Sequence, residues 1–151
     1  MTPSSRRLAG RLLLAVLCAS PAAHAGPAAD PDAATFKQVC GGCHNTDLAV
    51  QAPRSYEGWY DTVQTMIDRG ARGSDAQFQS VMTYLYRNLT TIDVNDAEAE
   101  DLVAVLHATP QVAEAVIARR ATRRFTDLAD LKTVPGLDSA VLDAQARLIF
   151  F

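Results

Sequence analysis

Apolar residues recur along this chain at helical spacing, and each stripe is bounded by helix start and stop signals. Trp59, Val63, Met66 and Ile67 stand at i, i+4, i+7 and i+8, one face of a helix. Ser55 precedes this stripe as a cap and Gly70 follows it at the C′ position, so a helix is predicted over 56–69. Ser74 caps a second helix, roughly 75–88, whose inner stripe is Phe78, Val81, Met82, Leu85 and Leu89. Further helices are predicted at 96–108, 110–120, 127–131 and 139–148. Thr109 before Pro110 gives the second of these an N-cap followed by proline at the first helical position. Residues 45–54 read as loop, and 26–34, rich in Ala, Pro and Asp, as a disordered leader. No segment alternates as a strand would. The fold class expected is all-α, with a boundary in the 90–95 stretch. The two helix pairs beyond it are candidates for a pseudo-duplicate.

The N-terminus changes what counts as the mature protein. Arg6, Arg7 and Arg11 precede or interrupt an apolar run over 8–17, and Ala23-His24-Ala25 is a small-x-small cleavage site. This is the pattern of a secretory signal peptide over 1–25. It predicts a mature chain from Gly26, periplasmic and without an integral membrane segment. An uncleaved anchor and a lipid-modified Cys18 are the rival readings. Cleavage removes three arginines and no acid, which leaves 11 basic against 17 acidic residues and a net charge near −6. Only Cys40 and Cys43 remain of three cysteines. In an exported protein such a pair is expected to oxidise unless something else holds it.

Cys40-Gly41-Gly42-Cys43-His44 supplies that something. The spacing is C-x-x-C-H, the attachment motif of c-type haem. Two thiols three apart at a helical start can reach the two vinyl groups on one porphyrin edge, and the next residue, His44, is then carried beneath the ring to ligate iron. A redox dithiol has no use for the histidine. A zinc site needs a second ligand pair, and past the signal peptide only His44 and His107 remain. One covalent haem c is therefore expected, with Cys40, Cys43 and His44 as its protein ligands.

With these residues in place, the segment 33–90 resembles class I cytochromes c. Phe36, four residues before Cys40, and the Tyr84-Leu85 pair match the aromatic contact between first and last helices in that family. The run Trp59, Val63, Met66, Gly70-Ala71 resembles the small cytochromes that serve periplasmic dehydrogenases. The resemblance implies Met66 as sixth iron ligand. Met82, His107 or an open position are the alternatives. It also implies a one-electron carrier rather than an enzyme, taking electrons from a periplasmic dehydrogenase and passing them to an oxidase or another cytochrome. An open-site haem sensor or enzyme is a rival. Arg54 is a candidate partner for a haem propionate, and Trp59 and Tyr56 are candidates to pack on the ring.

Residues 93–151 resemble the helix-hairpin-helix domain of DNA-uptake competence proteins. The match runs through Val94-Asn95-x-Ala97, Ile117-x-x-Arg120, Phe125 to Asp130-Leu131, and Val134-Pro135-Gly136-Leu137. The DNA-binding form carries Gly-apolar-Gly in each hairpin, where exposed backbone N–H groups cradle phosphate. Here the first hairpin reads Leu106-His107-Ala108-Thr109-Pro110, without glycine, and the second has Asp138 in place of its second glycine. From Asn95 onward nine acids face six basic residues, the wrong sign for phosphate-driven affinity. A protein-docking role is favoured over nucleic-acid binding, with the Arg119–Arg124 cluster as the local exception. The domains expected are thus signal peptide 1–25, monohaem cytochrome c 26–92 and helix-hairpin-helix 93–151. A chain ended after about Thr91 is expected to keep its cytochrome half intact.

Overall fold

The computed structural model describes residues 30–151; the expected signal peptide, its cleavage site and Cys18 lie outside the described residues. The chain runs α1 (Pro31–Cys40), α2 (Asp47–Gln51), α3 (Tyr56–Asp68), α4 (Asp75–Leu89), β1 (Ile92–Asp93), α5 (Ala99–Val105), α6 (Pro110–Thr122), α7 (Leu128–Leu131) and α8 (Ser139–Gln145). A 3₁₀ turn (Ala146–Leu148) then leads into β2 (Ile149–Phe150). The fold class is all-α, as the apolar spacing implies.

The helix starts follow local chemistry. The Ser55 side chain accepts from the Gly58 N–H, and Ser74 and Gln77 form a reciprocal capping box. Thr109 accepts from the Val112 N–H with Pro110 at N1, and Asp138 accepts from the N–H groups of Ala140 and Val141. Gly70 takes φ +95° just past α3.

Four readings of the sequence are corrected. Residues 31–34 are helix, not leader: Asp30 accepts from the Asp32 N–H and Pro31 occupies N1, a start signal that Ala/Pro/Asp composition obscures. Residues 47–51 form α2 inside the expected loop. The helix expected over 96–108 spans only Ala99–Val105, because residues 94–97 fold into a turn on Asp93, whose side chain accepts from the Asn95 N–H at 2.8 Å. Finally, β1 and β2 pair in parallel, with Ile92 opposite Ile149 and Asp93 opposite Phe150. Two residues per strand are too short to show alternation.

Buried apolar residues fall into two clusters. One joins Phe36 and Val39 of α1, Trp59 and Val63 of α3, and Val81, Leu85 and Leu89 of α4. Phe36 stacks on Tyr84 with ring centroids 4.5 Å apart, within the favourable range for aromatic pairs. The other cluster runs from Ile92 and Val94 through Leu102, Leu106, Val116, Leu131 and Leu142 to Leu148 and Ile149. Asn95, buried in that half, donates to the Phe125 carbonyl at 3.0 Å and accepts from its N–H at 2.8 Å. That pair explains why an asparagine follows Val94: it pins the loop after α6.

Candidate cofactor site

A cavity of about 490 Å³ opens between α1, α2, α3 and α4, within the size range of cofactor pockets. The end of α1 and the turn after it bring Cys40, Cys43 and His44 to its wall. Thr62, Val63 and Met66 reach it from α3, Arg69 from the C-cap just past that helix, and Phe78, Val81 and Leu85 from α4. The α3 residues stand three and four apart, the spacing that puts side chains on one helix face. Trp59 also lines the cavity while its indole N–H donates to the Leu89 carbonyl at 2.9 Å.

Both cysteines are free thiols, Cys40 half-buried and Cys43 exposed. Burial pushes the Cys40 thiol above its usual value, the opposite of the depressed value of a redox-active dithiol. His44 Nδ1 lies 3.0 Å from the Asn45 carbonyl. An Nδ1–H donated there leaves Nε2 bare, the tautomer in which an imidazole serves as a metal ligand. Among the described residues, no group of three or more His, Cys, Asp or Glu is placed to hold a metal ion, which a zinc site built on this cysteine pair requires.

The two methionines part company. Met66 lines the cavity with His44, whereas Met82 lines a separate open groove with Tyr56, Tyr60 and Ile67. His107 is remote from the cavity, with its Nε2 3.1 Å from the Arg87 carbonyl. Tyr56 packs edge-on against Tyr86 in that outer groove, so it is not a cavity residue. Arg54 does line the cavity, with its guanidinium carbon 5.7 Å from the Trp59 ring centroid. Arg69 is a cavity residue that the sequence reading passed over; its spacing from Met66 was the available signal.

The residues fit a haem. The lining is mostly apolar, with Phe36, Val39, Leu48, Val63, Phe78, Val81 and Leu85 around the cavity, as a porphyrin ring requires. Two thiols and an imidazole converge on a largely apolar space, a thioether borders it, and two guanidinium groups are available for carboxylates.

The C-terminal half has the geometry of paired hairpins. Gly136, two residues before the N-cap Asp138, takes φ +91°, and His107, two residues before the N-cap Thr109, takes φ +51°. His107 therefore fills the backbone position of a hairpin glycine. Each arginine of the cluster has a partner within its own half, although Arg123 and Arg124 stay largely exposed. Arg119 and Arg123 both pair with Asp130, at 2.7 and 2.9 Å. Arg120 donates to the carbonyls of Val94 and Ala97, and Arg124 pairs with Asp96 at 3.3 Å.

Paired hairpins of this kind define a helix-hairpin-helix architecture, and comparison with protein families agrees: residues 87–149 match the helix-hairpin-helix motif. The match begins at Arg87, inside α4 and upstream of Asp93. No cytochrome c family is matched. Neither a curated protein nor a solved structure matches the chain.

The halves are tied across their junction. The Tyr86 phenol donates to Asp101, and burial together with that carboxylate raises its pKa. Gln145 Nε2 donates to the Arg87 carbonyl at 3.2 Å. Arg147 donates to the Val50 carbonyl at 2.8 Å. Residues up to Thr91 therefore share hydrogen bonds with the half that follows, through the Val50 carbonyl of α2 and through Tyr86 and Arg87 of α4.

Proposed function

We propose that the mature chain is a periplasmic monohaem cytochrome c, a one-electron carrier between a dehydrogenase and an oxidase or second cytochrome. Its helix-hairpin-helix half docks protein rather than nucleic acid. The observation that carries this reading is a single apolar cavity with Cys40, Cys43 and His44 on one wall and Met66 on another. Bound there, haem supplies one reversible electron through its iron. Cys40 and Cys43 would hold it by thioether bonds, and His44 and Met66 would be its axial ligands. The Asn45 carbonyl orients the His44 ring. Trp59, Val63 and Val81 exclude water from the cavity, and Arg54 and Arg69 are the cations available to propionates. A thioether ligand favours the ferrous state and so a relatively high potential.

The docking role is supported by the internal pairing of Arg119, Arg120, Arg123 and Arg124 and by the acidic balance of the C-terminal half. Long-range steering of a polyanion is weak under those conditions.

Met66→Ala and Met82→Ala test the ligand set. The Met66 variant should lose the sulfur-to-iron charge-transfer band of the oxidised protein and fall in potential. The Met82 variant should keep both and lose about 1–3 kcal/mol of stability in urea unfolding, since its side chain is only partly buried. Loss of the band in the Met82 variant alone would transfer the role to that residue.

A further inference from the structure

We propose that the helix-hairpin-helix half closes the haem cavity of its own chain, with Arg147 as the positioning residue that holds α2 against it. This rests on the haem reading above and gives the docking half its first partner, the cofactor half beside it.

Thr46, Leu48, Ala49, Ala52 and Arg54 all line the cavity, so one wall is a single stretch of chain. That wall has little of its own to hold it. None of the five residues of α2 is buried, and Leu48 is 66% exposed. A helix of one turn is far below the length that is stable by itself. One end of the segment is fixed locally by Asn45 and Asp47, which exchange two hydrogen bonds. The other is fixed where Arg54 bridges to Thr90, with the Thr91 N–H donating to the Arg54 carbonyl at 2.8 Å. Between those ends, Arg147 to the Val50 carbonyl is the one hydrogen bond from outside the segment among the described residues.

The donor is well founded. Arg147 sits in the 3₁₀ turn between Gln145, which is buried, and Leu148, which is fully buried. The next residue, Ile149, pairs with Ile92. The parallel ladder thus sets two flanking pieces of chain side by side: Thr90 and Thr91, just before β1, and Arg147, just before β2. Both grip the 46–54 segment. A two-stranded ladder that adds little to a helical core acquires a use here, as the frame that seats the cavity wall. Arg147 also lies near Tyr84, whose pKa it lowers against the upward push of burial and Asp30; Tyr84 stacks on Phe36 at the back of the same cavity.

A wall whose middle is held by one hydrogen bond from outside opens more often when that bond is removed. The test uses the full-length mature holoprotein with Arg147→Ala and Arg147→Lys. Two readouts are taken: the rate at which cyanide binds the ferric protein, and hydrogen exchange at the amides of 47–52. The Ala variant should bind cyanide about 5–10-fold faster, the factor for loss of one hydrogen bond of typical strength. Exchange should quicken over 47–52 and stay unchanged in α4 and α6. The Lys variant, which keeps a donor, should recover most of the difference. Unchanged cyanide and exchange rates in the Ala variant would overturn the proposal, as would exchange that quickens equally in both cores. A protein isolated without covalent haem would refute the haem reading alone, and the exchange pattern would still decide the clamp by the same two outcomes.

Discussion

Gly136 and His107 reach the same backbone shape at matching places in the two hairpins, and substitution should treat them differently. A Cβ at Gly136 would stand 2.6 Å from Val112 Cγ2, and the positive φ adds strain of about 1–2 kcal/mol for any L-residue. Overpacking of this kind costs roughly 1–3 kcal/mol more. Gly136→Ala should therefore lose about 2–5 kcal/mol in urea unfolding. Gly70→Ala shares the positive φ but meets nothing within 4 Å, so its loss should stay near 1–2 kcal/mol, the backbone strain alone. Equal losses would mean that the contact with Val112 gives way without cost. Asp30 offers a test by pH. Burial pushes its carboxyl up, but hydrogen bonds from Asn88 and the Asp32 N–H, with Arg87 and His107 nearby, hold it below its usual 3.8. A carboxyl with a lowered folded-state pKa stabilises above its unfolded value, and that gain is lost as pH falls through the folded one. Asp30→Asn keeps a capping side chain and removes the charge. The variant should be less stable than the parent at pH 7, and the gap should close in acid. A gap that persists below pH 3 would place its origin in packing.

The helices α3, α4 and α6 are legible in the sequence because each combines a buried stripe with a cap: Ser55 before Trp59 and Val63, Ser74 before Val81 and Leu85, Thr109-Pro110 before Ala113 and Val116. The elements that escaped notice lack one of the two. The α2 helix buries nothing, so no apolar period marks it. The α1 start is hidden in a composition that also suits a leader, and the ties that fix it, Asn88 to Asp30 and Ser80 to Asp32, span 58 and 48 residues. The β1–β2 ladder depends wholly on chain ends meeting in space. The site divides the same way. Cys40, Cys43 and His44 are close in sequence and announce themselves, whereas a helix face alone does not separate Met66 from Met82, and only the resemblance to small cytochromes singles it out. By contrast, the engagement of Arg119, Arg120, Arg123 and Arg124 with partners inside their own half is invisible in a run of like charges, since Asp130 and the Val94 carbonyl are brought to them only by the fold.

The described residues form two apolar cores, one around a cavity and one around paired hairpins. No single helix among the described residues is long and apolar enough to cross a membrane. Side chains from the hairpin half complete hydrogen bonds for Arg87 and Val50 in the other, so the second core supports the cavity as well as offering an outer surface to a partner. On the proposed haem reading this arrangement would suit a small carrier, since a core of this size gains stability from a bound cofactor. All of it depends on haem being attached at Cys40 and Cys43. The deciding measurement is the mass of the mature protein, expressed with export and c-type haem maturation, after denaturation and extraction with acidified organic solvent. The account predicts a polypeptide carrying one haem that stays with the chain, and a bare polypeptide from Cys40→Ala/Cys43→Ala. A wild-type chain with the mass of the bare polypeptide, whether as free thiols or as a Cys40–Cys43 disulfide, would contradict it.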